Sequence, residues 1–98
     1  MSEPRAQVIQ VTADALIQGG PTIWHGIHIC LDGVTVGDSV VVRDSLTAGA
    51  GTVRYTFIAN ATDQTVDFCP CKGMQFDTGL YVDVTKSGGS MYVTVVYS

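Results

Sequence analysis

Glutamate and lysine, which ordinarily coat the surface of a soluble domain, are almost missing from this sequence: Glu3 is the single glutamate, and Lys72 and Lys86 are the two lysines. Charged residues make up 14% of the 98, against roughly a quarter in an ordinary soluble domain. Much of the surface must therefore be Thr, Ser, Gly, Gln and apolar groups, and such a surface is expected to be covered in part by a partner. The same shortage removes the usual surface helix formers. No run approaches the ~18 apolar residues of a membrane-spanning helix, so no membrane partner is expected. Met1 to Arg5 is polar and leads into a strand-like pattern, so no secretory leader is expected either. Clustered basic residues are lacking too. Arg5, Arg43, Arg54, Lys72 and Lys86 are scattered and the net charge is −4, which argues against a phosphate-binding nucleic-acid surface. Three cysteines, an odd number without secretory context, point to reduced thiols rather than a disulfide framework.

What is present is strand-forming. Val (14), Ile (6) and Thr (11) dominate, so the fold class is all-β. At this length the chain is one domain, residues 1–98, with a modest core that oligomerisation would help. A short N-terminal arm, 1–12, is expected to be mobile or partner-bound from Ser2 to Arg5, where Pro4 discourages regular pairing.

Alternation then marks the strands. Val8, Ile9 and Val11 mark the first, within Ala6 to Thr12, and Ala15 to Gln18 a second, ended by Gly19-Gly20-Pro21. Thr22 to Leu31 places Ile23, His25, Ile27, Ile29 and Leu31 on the expected core face and Trp24, Gly26, His28 and Cys30 on the other. Val34 to Val36 and Ser39 to Arg43 follow, the latter apolar enough to be buried on both faces. Thr52 to Asn60 and Gln64 to Cys69 alternate across the turn Asn60-Ala61-Thr62-Asp63. Gly73 to Ser98 reads as a closing hairpin, Leu80 to Thr85 and Met91 to Tyr97 joined by Lys86-Ser87-Gly88-Gly89-Ser90, with the last strand paired and central. About eight short strands with no helical window between them predict a single antiparallel β-sandwich, jelly-roll-like.

Residue chemistry offers few candidates. His28 with Cys30, and Cys69 with Cys71, are i,i+2 pairs on one strand face, and four such ligands could in principle hold zinc. Residues two apart on a strand lie about 6.5 to 7 Å apart, whereas sulfurs on one zinc lie under ~4 Å from one another. Inert thiols fit better, and no metal or other cofactor is expected. His25 and His28 fall on opposite faces in this reading, with His25 at the core edge in a hydrogen-bonded ring. No nucleophile-base-acid signature is present, so an enzyme is not expected. Asp32, Asp38, Asp44, Asp63 and Asp77 sit in or near turns, where aspartate caps backbone groups. Asn60-Ala61-Thr62 matches a glycosylation sequon and reads as a turn. Trp24, Tyr55, Tyr81, Tyr92 and Tyr97 could form a sugar-stacking platform or fill a core or subunit interface.

Gly26-Ile27-His28-Ile29, Gly37-Asp38-Ser39-Val40-Val41-Val42-Arg43-Asp44, Met74-Gln75-Phe76-Asp77-Thr78-Gly79-Leu80-Tyr81-Val82 and the terminal Val-Thr-Val-Val-Tyr strand resemble small β-sandwich virion proteins of tailed bacteriophages, including cyanophages. The resemblance runs from Ile23 onward, and the Cys69-Pro70-Cys71 element does not match it. It implies a head decoration, or cement, protein: a homotrimer made in the host cytoplasm that binds the major capsid protein on the outer surface of the head and stabilises the shell over capsomer junctions. Val8, Ile9, Val11, Trp24, Tyr81 and Tyr92 are the expected interface residues, the arm adding a strand to a neighbour or to the shell. The alternative is a carbohydrate- or receptor-binding module of a head fibre, neck or tail.

Overall fold

In the computed structural model, which describes residues 6–70 and 72–98, nine strands form and no helix is present among those residues. The strands are β1 (Gln7–Val11), β2 (Ala15–Gly19), β3 (Thr22–Asp32), β4 (Ser39–Asp44), β5 (Thr52–Ile58), β6 (Gln64–Phe68), β7 (Met74–Phe76), β8 (Gly79–Thr85) and β9 (Ser90–Tyr97). The Ser2 to Arg5 part of the expected arm, and Cys71, lie outside the described residues.

The pairings follow from one long antiparallel ribbon, β1 to β4 running out and β5 to β9 running back. β1 pairs with β9, β2 with β8, β3 with β6 and β7, and β4 with β5. Rolling the ribbon brings β9 onto β3 and β8 onto β4. Two sheets result: one in the order β1-β9-β3-β6, with β7 also on β3, and one in the order β2-β8-β4-β5. This is the antiparallel jelly-roll sandwich that the sequence predicts. β6 and β7 sit end to end beside β3, separated around Pro70, which has no N–H to give to a ladder.

Strand period fixes what the sheets bury. β9 turns Met91, Val93, Val95 and Tyr97 inward, β8 contributes Leu80 and Val82, and β4 contributes Val40 and Val42, all in one core. Burying such a side chain is worth about 1.5 to 3 kcal/mol. A one-residue slip of β9 would expose four of them, a loss comparable to the ~5 to 15 kcal/mol that holds a whole domain together. The register of this interior strand is therefore tightly specified.

Three features depart from the alternation. Val34 to Val36 is a loop rather than a strand: Val34 is buried, but its N–H donates to the Thr62 carbonyl at 3.0 Å and Val36 is exposed. Gly73 to Ser98 is not a hairpin, because β8 and β9 belong to different sheets and residues 86–89 cross between them. Most consequentially, β3 carries a bulge. Trp24 opposes Tyr97 and Gly26 opposes Val96, leaving His25 as the extra residue. The bulge reverses the alternation, so Thr22 and Trp24 join Ile27, Ile29 and Leu31 in the core while Ile23 and His25 turn outward.

Trp24 is 0% exposed, which corrects its assignment to an interface. Its ring lies 5.4 Å from Phe68, 5.6 Å from Tyr55 and 6.1 Å from Phe76, and Tyr55 stacks on Phe68 at 4.6 Å. This aromatic cluster bridges the two sheets, since Tyr55 is on β5 and the others are on β3, β6 and β7. Burial pushes the Tyr55 hydroxyl pKa up. Arg54 caps the cluster, its guanidinium 5.4 Å from the centre of the Phe76 ring.

Candidate functional site

Strand register places side chains of the first sheet's outer face in rows. One row is Gln10, Thr94, His28 and Asp67, from β1, β9, β3 and β6. Gln10 Nε2 donates to Thr94 Oγ1 at 3.5 Å, and His28 Nδ1 meets Asp67 Oδ1 at 2.5 Å. The neighbouring row, Val8, Val96 and Gly26, is apolar. Gly26 has no side chain there for a physical reason: a Cβ would lie 3.1 Å from the Phe68 carbonyl oxygen and 3.8 Å from Cys69.

Gly26 lines an open surface pocket of about 380 Å³ together with His25, Ile27, His28, Asp67, Phe68, Cys69, Thr94 and Val96. The bulge brings both histidines to its wall, which corrects their assignment to opposite faces. The His25 ring is half-buried and hydrogen-bonded, as the sequence predicts, with Nε2 2.8 Å from Ser98 Oγ. The Cys69 thiol donates to the His25 carbonyl at 3.3 Å. The pocket thus combines an apolar floor with an imidazole–carboxylate pair on its rim, a surface suited to receiving an apolar group with a hydrogen-bonding edge.

Of the zinc candidates, His28 is engaged by Asp67, Cys30 lies on the outer face between Tyr92 and Thr65, and Cys69 is held by His25. Cys71 lies outside the described residues. Among the described residues no three His, Cys, Asp or Glu side chains gather closely enough to hold a metal ion.

The interface candidates are dispersed. Val8 (66% exposed) and Ile9 (38% exposed) lie on β1, where Val11 packs partly against the core. Residues 7–11 of the expected arm pair with β9 of the same chain. Tyr92 is exposed on the outer face of the first sheet, and Tyr81, half-buried, is on that of the second between Leu16 and Arg43. The five aromatics proposed as a platform are therefore split between the core and two opposite faces. Sequence reading missed further exposed apolar residues, among them Leu16, Ile23, Leu46, Val53 and Ile58. Ile58 had a legible signal, since it alternates out of phase with Tyr55 and Phe57.

Aspartates tie the loops at both ends of the sandwich. Asp14 accepts from Val84 N–H at 2.7 Å, and Asp63 from Gly33 N–H at 3.1 Å. Buried Asp38 accepts from the Thr35 and Ser87 amides and from the Ser87 hydroxyl. Asp44 accepts from the amides of Asp77, Thr78 and Gly79 at 2.8 to 3.2 Å. Desolvation pulls the Asp44 pKa upward, but these three amides and the Arg54 charge outweigh it and hold the carboxyl below its ordinary 3.8. On the second sheet Asp83 pairs with Arg43 and also accepts from Gly49 N–H at 3.2 Å.

No protein-family model matches the sequence, and no curated protein matches it. No helix among the described residues is long and apolar enough to cross a membrane.

Proposed function

We propose that this chain is a structural virion protein of the decoration type, which associates with itself and with the major capsid protein and stabilises the head shell by occupying capsomer junctions. The observation that carries the reading is the apolar exterior: nine large hydrophobic residues among those described are exposed on a domain with 14% charged residues. They lie on both outer faces and at loop tips, so contacts on several sides would cover them. A partner burying the standard ~800 Å² would take roughly one-seventh of the 5378 Å² surface. The jelly roll supports the same role, because its function would reside in rigid faces and edges rather than in a deep cleft.

The reading requires a major capsid gene in the same genome, and the test is cosedimentation with capsid shells assembled from its product. Saturable binding that raises the shell's melting temperature is the expected result. Failure to bind shells, together with glycan-array binding, would move the protein to the carbohydrate- or receptor-binding class.

A further inference from the structure

A two-sheet sandwich leaves four strand edges, and an unguarded edge is a template for pairing with another chain. Three of the four are guarded here. β2 has a register shift between Leu16 and Gln18 and runs into Gly19-Gly20-Pro21. β5 has a shift opposite Val42 and Arg43 and carries charged Arg54. The β6–β7 edge carries Asp67 and is interrupted around Pro70.

Among the described residues, β1 has none of these devices. Gln7-Val8-Ile9-Gln10-Val11 contains no charge and no proline, and pairs with β9 in unbroken register over all five residues. Its two polar side chains are turned to β9: Gln7 Oε1 accepts from the Tyr97 hydroxyl at 3.3 Å, and Gln10 Nε2 reaches Thr94. Neither covers the free edge, and four of the five residues are exposed. Among the described residues no strand pairs with that side of β1.

We propose that the free edge of β1 pairs antiparallel with β1 of a second copy of this chain, about a two-fold axis through Ile9. Such an axis, perpendicular to the sheet, keeps each outer face on its own side. It sets Ile9 against Ile9, Val8 against Gln10, and Gln7 against Val11. No ionisable group enters the seam, so two chains of net charge −4 meet there without a like-charge contact. The product is a continuous eight-position sheet, β6-β3-β9-β1 followed by its symmetry copy. A five-residue seam covers less than the ~800 Å² per partner of a stable complex, so the dimer is reversible. The inference bears on the self-association that the virion reading includes, and sets a two-fold dimer in place of the homotrimer that the resemblance implies; what the assembled protein serves is tested separately.

Sedimentation equilibrium of the full chain from about 1 µM to about 1 mM tests it. Wild type should show a monomer–dimer equilibrium. Val8→Lys, on an outward side chain, should weaken it about tenfold or more while circular dichroism and melting temperature stay at wild-type values. Ile58→Lys, equally exposed but on β5, should leave it unchanged. Independently of any variant, amide exchange in residues 7–11 of wild type should slow as concentration rises. A strict monomer at the highest concentration, a trimer, or a dimer insensitive to Val8→Lys would overturn the proposal. A dimer that ignores capsid shells would instead sink the virion role alone.

Discussion

The indole N–H of Trp24 donates to the carbonyl of Gly26, two residues on, at 2.9 Å across the bulge at His25. One bond thus joins the aromatic core to the backbone that floors the surface pocket. It satisfies both the buried indole donor and a carbonyl that the bulge displaces.

Trp24→Phe keeps an aromatic ring but leaves the Gly26 carbonyl without this donor, so a loss of about 1 to 3 kcal/mol is expected. Trp24→Ala also empties the space between Tyr55, Phe68 and Phe76, and about 3 to 5 kcal/mol is expected. Urea denaturation of the two variants checks the order. Equal losses would mean that the ring's packing contributes nothing beyond the hydrogen bond.

Gly79 begins β8 where three segments converge. A Cβ there would lie 2.9 Å from the Ser45 carbonyl oxygen, 3.0 Å from that of Gln18 and 3.0 Å from Leu46 Cδ2. Two of these are backbone atoms that cannot rotate away. Gly79→Val should leave the domain largely unfolded by circular dichroism, and a variant with a native spectrum and wild-type melting temperature would refute this.

A carboxyl held below its ordinary pKa in the folded state is ionised more favourably there than in the unfolded chain. The stability Asp44 contributes is therefore fully present above the ordinary 3.8 and is lost as the pH falls through the lower folded value. Asp44→Asn removes that titration. Denaturation profiles of wild type and variant should diverge most at neutral pH and converge in acid; parallel profiles from neutral pH to about pH 2 would count against the assignment.

Asp38 joins the β3–β4 loop to the sheet-to-sheet crossover through the Thr35 and Ser87 amides. Asp38→Ala leaves these donors without their carboxylate, at a cost of about 1 to 3 kcal/mol. Faster amide exchange at Ser87, with β9 still protected, is the specific signature. Uniform acceleration across the domain would indicate general destabilisation instead.

The pocket floor can be tested separately from the core. Gly26→Ala places a methyl against the Phe68 carbonyl at 3.1 Å and fills the dent between His25 and His28. A stability loss of about 1 kcal/mol is expected, with β6 the strand that shifts. An increase in stability would show that β6 moves aside freely.

How far the sequence reaches can be traced along particular strands. In β9, Met91, Val93, Val95 and Tyr97 alternate without interruption, and the burial of all four follows from the two-residue period alone. In β3 the same rule works from Ile27 to Leu31 and fails before it, putting Ile23 inside and Trp24 outside. One extra backbone residue at His25 reverses the phase, and no local residue type announces a bulge that depends on the partner strand. The aspartates show the same limit. Their capping role was legible, but the amides of Asp77, Thr78 and Gly79 are held by Asp44, 33 to 35 residues away, rather than by a local side chain.

By itself, then, the sequence determined the all-β class, the two-layer sandwich and most of its core, because composition and the two-residue period are local properties of the chain. Tertiary structure decided the strand partners, the separation of β8 from β9 into different sheets, the burial of Trp24, the shared pocket of His25 and His28, and the exposed edge of β1. Each of these depends on which backbone lies beside which. Distant segments settle that by pairing their hydrogen-bonding groups and burying their apolar faces together.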